Sequence, residues 1–273
     1  MKLEDFKIAP NSRFRLKRHK TDETLGLSKA GKYEANVEKL AALHDVLYAE
    51  HKHALLIVLQ GMDASGKDGT IRHVMSGVNP QGCAVTSFKQ PTGPELDHDY
   101  LWRIHAAVPA RGSIGIFNRS QYEDVLIARV HKLAPRKTIE QRYGEINAFE
   151  KMLTNSGITI LKFFLHMSKE EQAKRLEARL TDRMKGWKIS AADYKEREYW
   201  DDYQLAYQEA VARCSTKEAP WYVIPSDHKW FRNYAVSEVV IRTLQSLHMK
   251  YPEASTIVRS SKTNESRDSR KNA

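Results

Sequence analysis

The residues best equipped for chemistry lie in one short stretch, GMDASGKDGT, from Gly61 to Thr70. Gly61, Gly66 and Lys67 keep the spacing of a Walker A loop, and an apolar run, Ala54 to Gln60, stands directly in front of them. A buried strand, a glycine-bearing turn and a helix beginning near Lys67 would aim backbone N–H groups and a helix N-terminus at an anion. Gly61, Ala64, Ser65, Gly66, Lys67, Asp68, Gly69 and Thr70 are thus the expected phosphate cradle, the alternative being a strand-to-helix turn without a ligand. Asp68 stands where a Ser or Thr hydroxyl would normally reach magnesium, and Asp63 adds a second carboxylate. Two carboxylates beside phosphates repel them unless a divalent cation lies between. The sequence therefore calls for Mg2+, with Mn2+ an alternative, and for Asp63 as a ligand, direct or through water. Asp68 could instead cap the helix or pair with a base.

Two further stretches fall at the same place in the strand-and-helix rhythm. FNRSQYEDVL, Phe117 to Leu126, puts Asn118, Arg119, Glu123 and Asp124 just beyond a strand, at the edge where ligands bind in open α/β sheets. A guanidinium at Arg119 suits bidentate phosphate binding. Either Glu123 or Asp124 could reach a metal or an acceptor, the alternative being a surface helix with acids in its first turn. We assign Glu123 with Lys89, Asn118 and Arg119 to the nucleotide, and Asp124 with Asp63 to the ion. Lys89, in SFKQPT, is weighed against a solvated loop lysine.

The elements that must position these groups alternate. β-rich runs at Ala54–Gln60, Cys83–Phe88, Ser113–Phe117, Ile158–Leu165 and Trp221–Ile224 are separated by helical stretches. Runs such as LLIVL show no polar alternation, as expected of parallel strands covered on both faces. The expected fold is an α/β three-layer sandwich with a five-stranded parallel sheet. A helical stripe, Val37 to His51, precedes the first strand, and a last helix, Asp227 to His248, opens on a capping Asp. His166, closing the fourth strand, reads as a hydrogen-bonded core residue. Residues 1–30 read as an arm with little core of its own, its Arg13, Arg15, Lys17 and Arg18 a solvated face; 31–250 form the catalytic domain and 251–273 a disordered tail.

Ser168 to Ser215 is charged, helical in period and interrupted at Gly186 and Trp187, which suggests two helices forming a lid, about 168–200. Arg175, Arg179 and Arg183 recur at i, i+4, so they share one face and repel one another unless an anion neutralises them. With Lys185 and Lys188 they form the expected anion-facing surface, the alternative being a solvated charged helix.

Composition sets the outer limits. The excess of 44 Lys and Arg over 34 Asp and Glu, +10, falls mostly on the body rather than the tail and invites a polyanion, without choosing among nucleic acid, anionic lipid and a phosphate-rich small molecule. Aromatic residues are not interleaved with the basic runs as in RNA-binding modules. No apolar run reaches the ~20 residues of a membrane helix, and MKLEDFKIAP lacks an export signal. Cys83 and Cys214 have neither CxxC spacing nor a metal-binding partner nearby, as expected of reduced thiols in a cytoplasmic protein.

Taken together, GMDASGKDGT, SFKQPT, FNRSQYEDVL, RLEARLTD with KGWKIS, and APWYVIPSDHKWFRN resemble the polyphosphate kinase 2 family over about residues 5 to 250. The YED after FNRSQ is similar to the class that phosphorylates both nucleoside mono- and diphosphates. The resemblance implies a thymidylate-kinase-like P-loop fold, polyphosphate as donor, AMP, ADP and ATP as partners with guanine nucleotides beside them, magnesium, and a homo-oligomer, commonly a tetramer. It also implies that Asp63, Lys67, Arg119 and Arg179 act at the phosphates. The rivals are an ATP-dependent nucleoside monophosphate kinase and a basic nucleic-acid-binding protein.

Overall fold

A computed structural model describes residues 2–29, 34–181 and 191–254. Five strands, β1 (Ala54–Gln60), β2 (Cys83–Ser87), β3 (Ile114–Asn118), β4 (Ile158–His166) and β5 (Trp221–Pro225), lie within about one residue of the predicted runs. They form one parallel sheet in the order β2-β3-β1-β4-β5. The helices, in chain order, are α1 (Glu34–Glu50), α2 (Lys67–Val74), α3 (Gly93–Leu96), α4 (Trp102–Ala106), α5 (Ile127–Val130), α6 (Arg136–Asn155), α7 (Lys169–Thr181), α8 (Ala191–Glu196), α9 (Trp200–Cys214) and α10 (Lys229–Ser246).

The central strand explains the layering. Leu55, Ile57 and Leu59 of β1 point to one face, where Leu40 and Leu47 of α1, Val74 of α2 and the apolar side of α10 cover them. Leu56 and Val58 point to the other, against α6 and α9. A strand buried on both faces needs no polar alternation, which is why LLIVL reads as a continuous apolar run. β2 departs from that expectation. It is an edge strand, with Val85 50% exposed, because nothing pairs beyond it in the described chain.

The N-terminal arm also differs from its reading. Arg13, Arg15, Lys17 and Arg18 are exposed as expected, but Leu3, Phe6, Ile8, Phe14 and Leu16 are buried. The arm crosses the other edge of the sheet. Lys7 bridges Tyr222 antiparallel, and the Ile8 N–H donates to the Trp221 carbonyl at 2.8 Å. An edge strand covered in this way is protected from pairing with other chains. The basic side chains at 13–18 thus face solvent while Phe14 and Leu16 between them are buried, the segment closing in a 3-10 turn at Leu16–Arg18.

Asp227 does not cap the last helix, whose N-cap is His228. Its carboxylate accepts from the Ser168 N–H at 2.9 Å, linking the start of α7 to the start of α10. His166 is a buried, hydrogen-bonded residue: its Nε2 lies 3.1 Å from the His19 carbonyl, and burial lowers its pKa to about 4. Arg183, Lys185, Gly186, Trp187 and Lys188 lie outside the described residues, as does the chain from 255 onward. Among the described residues no helix is long and apolar enough to cross a membrane.

Candidate active site

The turn between β1 and α2 has the shape its sequence calls for. Gly66, at the N-cap of α2, takes a left-handed conformation with φ 102° that a side chain would strain. A Cβ there would also strike the Arg232 guanidinium. Ala64, with φ 64°, is left-handed without being glycine. Such strain persists only where the surroundings impose it, and it clusters at ligand clamps.

Lys67 is only 8% exposed and folds back over the loop, donating to the Gly61 carbonyl at 2.6 Å and the Met62 carbonyl at 3.3 Å. Burial pulls its pKa down, against the opposing pull of the Asp63, Glu123 and Asp68 carboxylates. Arg119 ends β3 in a second left-handed turn, φ 65°, with its N–H bonded to the Leu59 carbonyl at 3.1 Å. That turn carries its guanidinium to Asp63, at 3.0 Å. Asn118 donates to Asp68 at 2.9 Å, so the carboxylate in the Ser/Thr position is held across the mouth of the site by the end of β3.

Glu123 and Asp124 part company. Both lie on a short 3-10 turn, Gln121–Asp124, where the Ser120 hydroxyl accepts from the Tyr122 N–H. Burial pushes the Glu123 pKa up, while Arg119 and Lys67 and a hydrogen bond from Gln60 pull it down. Glu123 therefore belongs to the cluster of Lys67, Arg119 and Asp63. Asp124 faces the other way, 3.4 Å from Arg142, with Arg103 as its other charged neighbour. The sequence places both acids at the sheet edge, but the tight turn brings Glu123, rather than Asp124, to Asp63.

The remaining expected residues scatter. Lys89 is exposed, and its carbonyl accepts from Arg103 at 2.9 Å. Arg179 lies one turn beyond Arg175 on α7 and is half-exposed. Arg175 is no part of an anion-facing surface. It is buried, and instead of an anion its charge meets Glu171 and four backbone carbonyls. The i, i+4 repulsion argument fails there because a guanidinium can spread its charge over inward-turned peptide dipoles.

Several participants escape sequence reasoning. Gln60 donates to the Ser120 hydroxyl at 3.1 Å, and its only sequence signal is a polar residue closing an apolar strand. Burial raises the pKa values of Tyr203 and Tyr207 of α9; Glu196, which accepts from Tyr203, raises that one next, and the Glu123 and Asp63 charges add to both. Arg232 is charged yet lies on the apolar stripe of α10, which is itself a signal.

The residues present suit a magnesium ion. Mg2+ is typically held by one or two carboxylates together with substrate phosphates and water. Asp63 and Glu123 offer such a pair beside the cradle, with Glu123 in a site whose dryness disfavours a bare charge. Buried Ser65 Oγ and Thr70 Oγ have no partner among the described residues.

Comparison with known proteins shows the family. The family model of polyphosphate kinase 2 matches residues 28–253. The chain belongs to the polyphosphate kinase 2 family. It is 48% identical over 261 residues to an AMP/ADP-polyphosphate phosphotransferase of Meiothermus ruber, covering 93% of this chain and 97% of that one. It is 49% identical over 229 residues to an ADP-polyphosphate phosphotransferase of Rhodopseudomonas palustris, covering 80% and 79%. Among solved structures, polyphosphate kinase 2 of Arthrobacter aurescens superposes with a TM-score of 0.89 at 44% identity, covering 92% and 91% of the two chains. As a member of this family the chain is a phosphotransferase with the α/β fold of the solved polyphosphate kinase 2.

Proposed function

We infer that the protein transfers the terminal phosphoryl group of inorganic polyphosphate to AMP or ADP, reversibly, by in-line displacement. The observation that carries this reading is the convergence of Lys67, Arg119, Asp63 and Glu123 at the mouth of the β1–α2 turn, in a chain of the polyphosphate kinase 2 family. An oxygen of the acceptor phosphate attacks the terminal phosphorus while its bond to the bridging oxygen breaks. One new nucleotide phosphate forms, and the polyphosphate leaves one unit shorter.

The acceptor is already anionic, so no strong base is required and catalysis rests on alignment and charge. The Lys67 ammonium, bound to two loop carbonyls, exchanges them for phosphate oxygens. Arg119 releases Asp63 and turns to the transferred group. Glu123 holds both cations at that group, and the loop amides bind the remaining oxygens. Asp63 and Glu123 would hold Mg2+, which when bound neutralises phosphate charge and fixes oxygen geometry. Arg179, half-exposed on α7, extends the positive surface along the donor.

The two relatives differ in name, AMP/ADP against ADP, at nearly equal identity, so overall similarity does not select the acceptor. The YED stretch supports both. The proposal extends to guanine nucleotides as acceptors, to a cytoplasmic homo-oligomer, and to the absence of a specific nucleic-acid or membrane partner. A coupled assay tests the main reading: purified protein, magnesium and long-chain polyphosphate as sole donor, with AMP, ADP, GMP or GDP. ADP and ATP should grow from AMP. Product with ATP as donor but none with polyphosphate would establish a nucleoside monophosphate kinase instead.

A further inference from the structure

A loop that aims its amides outward must turn its carbonyls inward, and each buried carbonyl then needs a donor. Those donors can be traced one by one. The Gly61 and Met62 carbonyls accept from Lys67. The Asp63 carbonyl accepts from Gln172 Nε2 at 2.9 Å. The Ala64 carbonyl accepts from Arg175 at 3.1 Å, and the Ser65 carbonyl from both Arg175 at 3.1 Å and Arg232 at 3.0 Å. Thus three consecutive carbonyls at the back of the cradle are held by long side chains from α7 and α10.

The arrangement is costly enough to need a reason. Arg175 and Arg232 are 8% and 3% exposed, and both guanidiniums bond the same oxygen. Among the described residues Arg175 has a carboxylate partner, Glu171 at 2.7 Å, whereas Arg232 is otherwise held by the Asn233 side-chain oxygen at 2.9 Å. Burial, and then the neighbouring Arg175, lower the Arg232 pKa to about 9. Two like charges under one turn add positive potential where phosphates are to bind. Arg175 further binds the Ser226 and Asp227 carbonyls at 2.5 and 3.0 Å, and the Asp227 carboxylate returns to the Ser168 N–H. The back of the loop, the first turns of α7 and the β5–α10 junction are one hydrogen-bonded unit.

We propose that Gln172, Arg175 and Arg232 are positioning residues that hold the Asp63, Ala64 and Ser65 carbonyls inward, so that the loop amides stay aimed at the phosphate anion. They touch no substrate, and through Gln172 and Arg175 the root of α7 and the cradle move together. The proposal rests on Gly61 to Thr70 being the phosphate cradle.

Amide hydrogen exchange across residues 61–70, with and without tripolyphosphate, tests it alongside steady-state kinetics. In the unaltered protein tripolyphosphate should slow exchange in this segment; no slowing there would overturn the cradle itself. In Arg232→Met and Arg175→Met, exchange in the segment should rise, tripolyphosphate should protect it less, and kcat/KM for polyphosphate should fall by about tenfold or more, the scale of one lost charge-assisted hydrogen bond. Arg232→Lys, which keeps the charge and one donor, should recover part of that loss. Gln172→Ala is a milder variant for the case in which an arginine variant does not fold, and should show the same rise in exchange on a smaller scale. Variants that fold, exchange like the unaltered protein and keep kcat/KM within twofold would overturn the positioning role while leaving the cradle standing.

Discussion

The front and the back of the same turn use the same chemical groups to opposite ends. At the front, Arg119 meets Asp63 while remaining more than a third exposed, an ion pair that a phosphate can displace. At the back, Arg175 is buried and bound to Glu171 and four carbonyls, which no ligand can reach without unfolding the contact. A guanidinium acts as a ligand clamp or as a structural tie according to whether its partners are mobile side chains or fixed peptide oxygens. The difference teaches that the arginines around this turn divide by accessibility and partner, not by count.

The comparison is broken most severely at Lys67, the front cation with the least exposure. Lys67→Ala should lower kcat by about a thousandfold or more with the fold intact, since it removes charge stabilisation at the transferred group. Turnover near normal, with an unchanged melting temperature, would remove the front side of the contrast.

The back should show itself in stability instead. His166, bonded to the arm at the end of β4, has its pKa lowered from 6.5 to about 4 by burial. The unfolded chain therefore binds the proton more readily between these values. Stability should be full above pH 6.5 and decline by up to about 3 kcal/mol as pH falls through 6.5 toward 4. Denaturant melts across that range, compared with His166→Gln, should show the slope weaken in the variant. Equal slopes would mean His166 does not carry it.

A finer distinction separates two neighbours in sequence. Glu123→Gln should reduce kcat by about a hundredfold, because its charge orders Lys67 and Arg119, whereas Asp124→Asn, paired with Arg142, should cost about tenfold or less. Glu123→Gln should also be the more stable protein at neutral pH. The Glu123 pKa is raised on folding, so ionising it costs stability above about pH 4.5 and nothing below. Equal kinetic losses in the two variants would erase the division made by the 121–124 turn.

The five strands and the bent glycine turn after β1 were legible because each depends on local rules. Apolar runs bounded by turns mark strands buried on both faces, and glycine spacing marks a bent loop. The edge position of β2 and the burial of the arm's Phe14 and Leu16 were not legible, since strand order and edge coverage come from pairing across long sequence separations. Nor was the role of Arg232, 167 residues from the Ser65 carbonyl it holds.

By itself the sequence determined that a turn with Walker A spacing follows a buried strand, that carboxylates and bases crowd its mouth, and that the family is polyphosphate kinase 2. Only the tertiary structure decided which carboxylate of the adjacent pair joins Asp63, and which arginines stay open at the mouth of the turn rather than bound to the backbone. The physical reason is that residue type fixes what a side chain can bond, whereas its partner depends on a few degrees of turn geometry and on elements folded in from far along the chain.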